Sequence, residues 1–221
     1  MKKKKIIIFG TGDIAQIANY YFSIDTDFEV IAFSINREFI DTDTFEGKPV
    51  IPFEEIESKY PNSEYSMFIA LSYSKMNKVR ERIYHEAKGK GYILVNYISS
   101  KCSYMSQFPP GDNCFIFEDN TIQPFVKIGN NVTLWSGNHI GHHSIIHDHN
   151  FISSHVVISG HCEVMSNCFI GVNATIHNNV IIEIENIIGA GAIITKKTDV
   201  KGVYLPAQSI KYGKNSDEIK L

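Results

Sequence analysis

Nine histidines occur in the 221-residue chain, and eight of them lie between His139 and His177. His143, His149, His155 and His161 follow one another at six-residue intervals, and His142 directly precedes the first. Imidazole exchanges a proton near neutral pH, so a histidine beside an attacking amine or hydroxyl suits a general base. Converging imidazoles also ligate metal ions. Asp148 and Glu163 are carboxylates of the same stretch that could supply charge to such a base.

The spacing of these histidines belongs to a longer rhythm. An aliphatic residue stands at every sixth position from Ile116 through Ile122, Ile128 and Leu134 to Ile194 and Val200. No helix or ordinary strand has this period. It fits a chain that turns a corner after each short strand and buries one large aliphatic per turn, with successive coils stacked. The second member of the hexad is often glycine, as at Gly129, Gly141, Gly171 and Gly189. The fifth is mostly small and is expected to point inward. Cys162 and Cys168 hold that position, and Cys102 and Cys114 share its phase. All four therefore read as core residues, not as disulfides, zinc ligands or acyl-carrying nucleophiles. Asn120, Asn138, Asn150 and Asn186 are also fifth members and are expected to form side-chain ladders. His142 is a third member, and His143, His149, His155 and His161 are fourth members. These positions are expected to form outward corners; His149, His155 and His161 there, and His147 and His177 elsewhere in the repeat, read as solvated or packed.

Residues 1–95 follow a different pattern. Lys5–Phe9, Phe28–Phe33, Tyr65–Leu71 and Tyr92–Val95 read as strands. A helix is expected after Gly12, running through Phe22, and an amphipathic one over Lys75–Lys88, giving a small parallel α/β domain. The turn Gly10-Thr11-Gly12 joins strand to helix, where backbone N–H groups suit a phosphate. No acid ends the second strand (Phe33-Ser34-Ile35-Asn36-Arg37) to hold a ribose diol, so a mononucleotide or sugar phosphate, or a purely structural turn, is favoured over NAD. Asn36, Arg37, Ser72 and Tyr73 complete the expected substrate site. Residues 96–115 read as a connecting segment with an irregular first coil, 116–200 as the repeat domain and 201–221 as a tail.

Net charge is −3, with no basic footprint for nucleic acid. The Lys2–Lys5 run reads as the solvated start of a strand, not a signal peptide. No apolar run is long enough to span a bilayer, and a cytoplasmic protein is expected.

The hexads resemble the left-handed parallel β-helix of hexapeptide acyltransferases, in which three hexads make one triangular coil. The combination of halves, from Ile6 to about Lys211, resembles a group of bacterial sugar acetyltransferases. That group includes the bacillosamine and perosamine N-acetyltransferases and enzymes named as sialic acid O-acetyltransferases. The matching motifs are Gly10-Thr11-Gly12, Asn138-His139-Ile140-Gly141-His142-His143-Ser144, Gly171-Val172-Asn173-Ala174 and Gly189-Ala190-Gly191-Ala192.

The resemblance implies an α/β Rossmann-like domain holding the nucleotide of a nucleotide-linked sugar, and a β-helix binding acetyl-CoA as acyl donor. It implies a homotrimer with sites between chains, with Phe151 and Trp135 among the residues expected to face a neighbour. His142 falls on the catalytic histidine. His143 stands where the closest relatives carry an acid, and is taken as a second catalytic residue. Gly160, Val172, Gly189, Ala190 and Gly191 are the CoA contacts carried over, and Lys196 is added for the CoA phosphates. Gly160 is further expected to leave room for the thioester and to offer its N–H to the oxyanion. The implied reaction is N-acetylation of an amino-deoxy sugar without a metal. The alternatives are sugar O-acetylation and, ranked lower, a zinc-dependent lyase of carbonic anhydrase type.

Overall fold

The computed structural model describes residues 4–211, 213, 215, 216 and 219. Lys2 and Lys3 of the basic run lie outside them. The N-terminal half contains β1 (Lys4–Phe9), α1 (Asp13–Asp25), β2 (Phe28–Ile35), β3 (Thr44–Phe45), β4 (Lys48–Pro52), α2 (Ile56–Lys59), β5 (Ser66–Ile69) and α3 (Lys78–Gly89). They form a sheet of order β3-β4-β2-β1-β5, parallel except for β3 against β4.

Three elements differ from expectation. The β3–β4 hairpin turns on Glu46-Gly47, both at positive φ, in a segment whose alternation is too short to read. Tyr92–Val95 contributes only a bridge from Leu94 to Met67. The α3 helix starts at Lys78, because Lys75, Met76 and Asn77 all adopt left-handed backbone.

The second half is a triangular parallel β-helix. The rungs pair residue i with i+18, as in Thr133 with Phe151 and His139 with Val157, except the last, where Ile187 and Ile188 pair with Val203 and Tyr204. Its first face carries Phe115, Thr133, Phe151 and Phe169 outward, the second Thr121, His139, Val157 and Ile193, the third Lys127, Ile145 and Glu163. The pairing already includes Tyr97–Ile98 and Ser103–Tyr104. The sixfold aliphatics and the small fifth members fill the axis as expected, up to Ile194; Val200 is 56% exposed, and Val203–Tyr204, expected in the tail, instead forms the last rung of the first face. Cys114, Cys162 and Cys168 are buried, Cys102 is half-buried, and burial raises all four thiol pKa values.

The fourth member of the hexads that start at Ile116 through Ile188 holds the corner by adopting positive φ, near +60° at His143, His149, His155, His161, Asn167 and Asn173. Histidine and asparagine tolerate this region better than most residues, so the six-residue recurrence of histidine is first a backbone requirement. The glycine at the second hexad position has its own cause. A Cβ at Gly141 would stand 2.5 Å from the Gly160 nitrogen of the next coil. The inward asparagines do not form side-chain ladders. The Asn138 and Asn150 carboxamides accept from the backbone N–H groups of Val156 and Cys168 in the next coil, and they donate to Trp135 and His147 carbonyls.

The α/β domain docks on the first face of the β-helix. Tyr21, Tyr97, Phe115 and Phe117 form one aromatic cluster there, and Tyr73 packs on Phe151 and Phe169. Phe151 is 3% exposed and serves contacts within the chain, which corrects its expected role against a neighbour, whereas Trp135 stacks on Phe117 and stays half-buried. The guanidinium of Arg80, fully buried, pins α3 to the corner between the third and first faces. It donates to the backbone carbonyls of Asn131, His149 and Asn150 and to Asn77 Oδ1.

Candidate active site

His142 and His143 lie on the corner between the second and third faces, opposite the docked α/β domain. Both rings are exposed. Their Nδ1 atoms are 3.1 Å apart, within hydrogen-bond distance. His143 is sandwiched in a column. Phe125 stacks under it at 4.5 Å between ring centroids and His161 over it at 4.8 Å. Phe125 holds φ +68°, an uncommon corner conformation for a bulky aromatic. Desolvation, then repulsion from His161 and His142, lowers the pKa of His143 and favours its neutral form.

A neutral His143 whose Nδ1 accepts fixes the tautomer of its neighbour. His142 then carries its proton on Nδ1 and leaves Nε2 with a lone pair, the state a general base requires. The His142 backbone N–H donates to Gln123 Oε1 at 2.9 Å, which holds the corner. Among the described residues, neither carboxylate raised as a partner bonds this pair. Glu163 accepts from His147 Nε2 at 2.7 Å, and Asp148 accepts from the Asn130 backbone and side chain.

His142, Gly160, Asn178 and Lys196 stand eighteen residues apart on one corner. The reason for glycine at 160 differs from expectation. A Cβ there would lie 2.7 Å from His142 Cε1, so it is the imidazole, not a thioester, that occupies the gap. The Gly160 N–H donates to Asn178 Oδ1 at 2.9 Å and is therefore not free for an oxyanion. That bond leaves the Asn178 amide N–H groups beside the same corner, a donor that sequence reasoning missed. Val172 and Ala190 stack on the adjacent corner, between the first and second faces, with Val172 42% exposed. Gly189 is covered by the C-terminal segment: its N–H donates to Tyr204 O, and a Cβ would meet Leu205. Its glycine is structural, which corrects its assignment to CoA.

His149 departs from the solvated-corner expectation, being 5% exposed beneath α3. Asn113 Nδ2 donates to Asn131 Oδ1, and Asn131 Nδ2 lies 2.9 Å from His149 Nδ1. The side-chain ladder expected inside the prism thus runs along this outer corner.

A second candidate region lies at the C-terminal ends of β1 and β5, where the strand order reverses, the usual place for ligands in such sheets. A cavity of about 270 Å³ there is lined by Gly10, Thr11, Gly12, Asn36, Phe39 and Arg82, among others. Ser72 lines an adjoining cavity with Gly12 and Asp13. Gly10 has φ +127°, and a Cβ would meet Ala70 O at 2.7 Å, whereas Gly12 has open space around it. No side chain caps α1; the Ala15 N–H donates to Gly12 O, and the Asp13 and Ile14 N–H groups are left for an anion. Two expectations are corrected. Arg37 turns to Glu55 and does not line the cavity, and Tyr73 belongs to the domain interface. Arg82, on the polar side of α3, was missed because one cation on an amphipathic helix has no distinguishing pattern.

Within the stacked prism, residues 125–160 match the family "Bacterial transferase hexapeptide (six repeats)". No curated protein sequence matches the chain. Among solved structures, the acetyltransferase domain of PglB from Neisseria gonorrhoeae in complex with acetyl coenzyme A has 15% identity and a TM-score of 0.82, covering 92% of this chain and 97% of that one. WeeI from Acinetobacter baumannii has 19% identity and a TM-score of 0.76, covering 90% and 94%. PerB from Caulobacter crescentus, in complex with CoA and GDP-perosamine, has 19% identity and a TM-score of 0.71, covering 91% and 94%. The likeness spans both halves, and the left-handed parallel β-helix with its α/β domain is the fold these proteins share. In the described residues no helix is long and apolar enough to cross a membrane.

Proposed function

We propose that this protein is an acetyl-CoA-dependent N-acetyltransferase acting on the amino group of a nucleotide-linked amino-deoxy sugar. The observation that carries the reading is the His142–His143 pair, exposed on a β-helix corner with its two Nδ1 atoms within hydrogen-bond distance. The glycine-turn cavity beside an uncapped helix supplies an anion site for the nucleotide. The fold likeness to proteins whose structures hold acetyl-CoA, or CoA with GDP-perosamine, supports both ligands.

In the proposed reaction the sugar amine attacks the thioester carbonyl and His142 Nε2 takes its proton. The hydrogen bond to His143 Nδ1 stabilises the resulting imidazolium. Asn178 donates to the oxyanion, and collapse expels CoA as thiolate, which recovers a proton. Gly160 and Lys196 share the corner with His142, while Val172, Ala190 and Gly191 lie across the second face. Val157 and Ile193 on that face are 40% and 66% exposed, apolar surface suited to a neighbouring chain.

The cavity and His142 lie on opposite sides of one β-helix. A complete site therefore takes its nucleotide pocket from one chain and its base from another, as in a homotrimer. Thermal-shift measurements with UDP-, dTDP-, GDP- and CMP-linked amino sugars, with and without acetyl-CoA, test the reading. One nucleotide class should raise Tm and then yield an amide product. An ester product would favour the sugar O-acetyltransferase alternative, and no shift with any of them would refute both.

A further inference from the structure

Two clusters of potential metal ligands occur among the described residues. One is Glu81, His85 and His149, the other His142, His143 and His161. The first is ruled out by its hydrogen bonds. Asn131 Oδ1 accepts from Asn113 and Arg80, so its Nδ2 must donate to His149 Nδ1. His149 then keeps its proton on Nε2, the nitrogen turned to Glu81, and has no lone pair for an ion.

The second cluster has the opposite character. One nitrogen from each of its rings lies within 4.8 Å of the others, and all three rings are exposed. The His142 and His143 Nδ1 atoms at 3.1 Å are already near the separation of two nitrogens on one tetrahedral ion with metal–nitrogen bonds of about 2.0–2.1 Å. His161, edge-on to His142 at 5.1 Å, completes the set after a turn of its exposed ring. No carboxylate contributes, so the site is all-imidazole and suits Zn²⁺ or another borderline transition ion over Mg²⁺ or Ca²⁺.

We propose that His142, His143 and His161 form a Zn²⁺-binding site that switches the catalytic corner off. Its inhibitory half rests on the acetyl-transfer reading above. The chemistry is a contest for one nitrogen. A neutral imidazole has a single N–H, and Zn²⁺ on His142 Nδ1 moves that proton to Nε2. The lone pair that would accept the amine proton is then gone. No net proton is lost, and removal of the ion restores the base.

Binding and inhibition are measured separately. Isothermal titration of the full-length protein with Zn²⁺ should show one strong site per chain, and Co²⁺ should give the visible absorption of a four-coordinate ion. His161→Asn keeps a residue that tolerates the corner conformation. It should weaken Zn²⁺ binding by more than the roughly 10–100-fold that loss of an outer-shell partner costs. It should also make turnover resistant to Zn²⁺, judged against that variant's own metal-free rate. Zn²⁺ binding unchanged by His161→Asn, or absent from the wild type, would overturn the site. Tight binding at these residues without inhibition of an active enzyme would overturn the switch. If the protein acetylates no sugar, the titration and the Co²⁺ spectrum still decide whether the site exists.

Discussion

His142 Nδ1 and His143 Nδ1 face each other at 3.1 Å, so one ring donates and the other accepts. The Phe125–His143–His161 column and the lowered pKa of His143 favour its neutral form, and the proposed mechanism takes its Nδ1 as the acceptor. The corner thus replaces a charged partner for the base with an uncharged one.

His143→Asp tests this directly. A carboxylate in that place should stabilise the imidazolium of His142 and move the acid limb of the kcat/KM pH profile upward by about 1 unit or more. His143→Asn, which also tolerates the corner backbone, should lower kcat and leave KM for acetyl-CoA near normal. An unchanged pH profile in the Asp variant would separate His143 from the base.

Asn178 is expected to act on the oxyanion. Its replacement by Ala should reduce kcat by up to about 10²-fold, the lower end for loss of an oxyanion donor. Ground-state binding of acetyl-CoA, read by titration, should hardly change. A variant with wild-type kcat would assign Asn178 only to supporting Gly160.

Gly12, not Gly10, is the position for probing the nucleotide pocket, since a side chain at Gly10 collides with Ala70 whatever its function. Gly12→Val should raise KM for the nucleotide-linked sugar far more than KM for acetyl-CoA. Mixing unfolded Gly12→Val and His142→Asn chains and refolding them together should recover part of the activity. Some sites would then combine an intact pocket from one chain with an intact base from another. Activity no higher than that of the separate variants would argue against shared sites.

His149 should make stability depend on pH. Burial lowers its native pKa, and the unfolded reference is about 6.5. Below that value the unfolded chain binds a proton that the native chain resists, so the contribution is present above about pH 6.5 and lost as pH falls. Between pH 7.5 and 5.5 the wild-type Tm should fall more steeply than that of His149→Asn. Parallel Tm curves would contradict the assignment.

Much of this structure is legible in the hexad pattern, and the reasons for the rest are local. Ile116 to Ile194 give the stacked coils and the inward phase of Cys162 and Cys168, because a periodic burial rule repeats in sequence. The pattern also places His142 and His143 on a corner. It does not reveal that His143, His149 and His161 satisfy a left-handed backbone, so their clustering overstated the chemistry of His149. Nor does it show that Asn138 and Asn150 bond to backbone, since a polar residue facing inward has several ways to be satisfied. Arg80 and Asn178 depend on contacts 51 and 18 residues away, to Asn131 and Gly160, which no short motif encodes.

The central claim is that His142 is the base for acetyl transfer, and the turnover of His142→Asn tests it most directly. With acetyl-CoA and the nucleotide-linked amino sugar that the thermal-shift screen selects, kcat should fall by about 10² to 10⁴. Tm, oligomeric state and acetyl-CoA affinity should remain close to wild type. A folded His142→Asn protein that retains more than about half the wild-type kcat, far above the range for loss of a general base, would contradict the account.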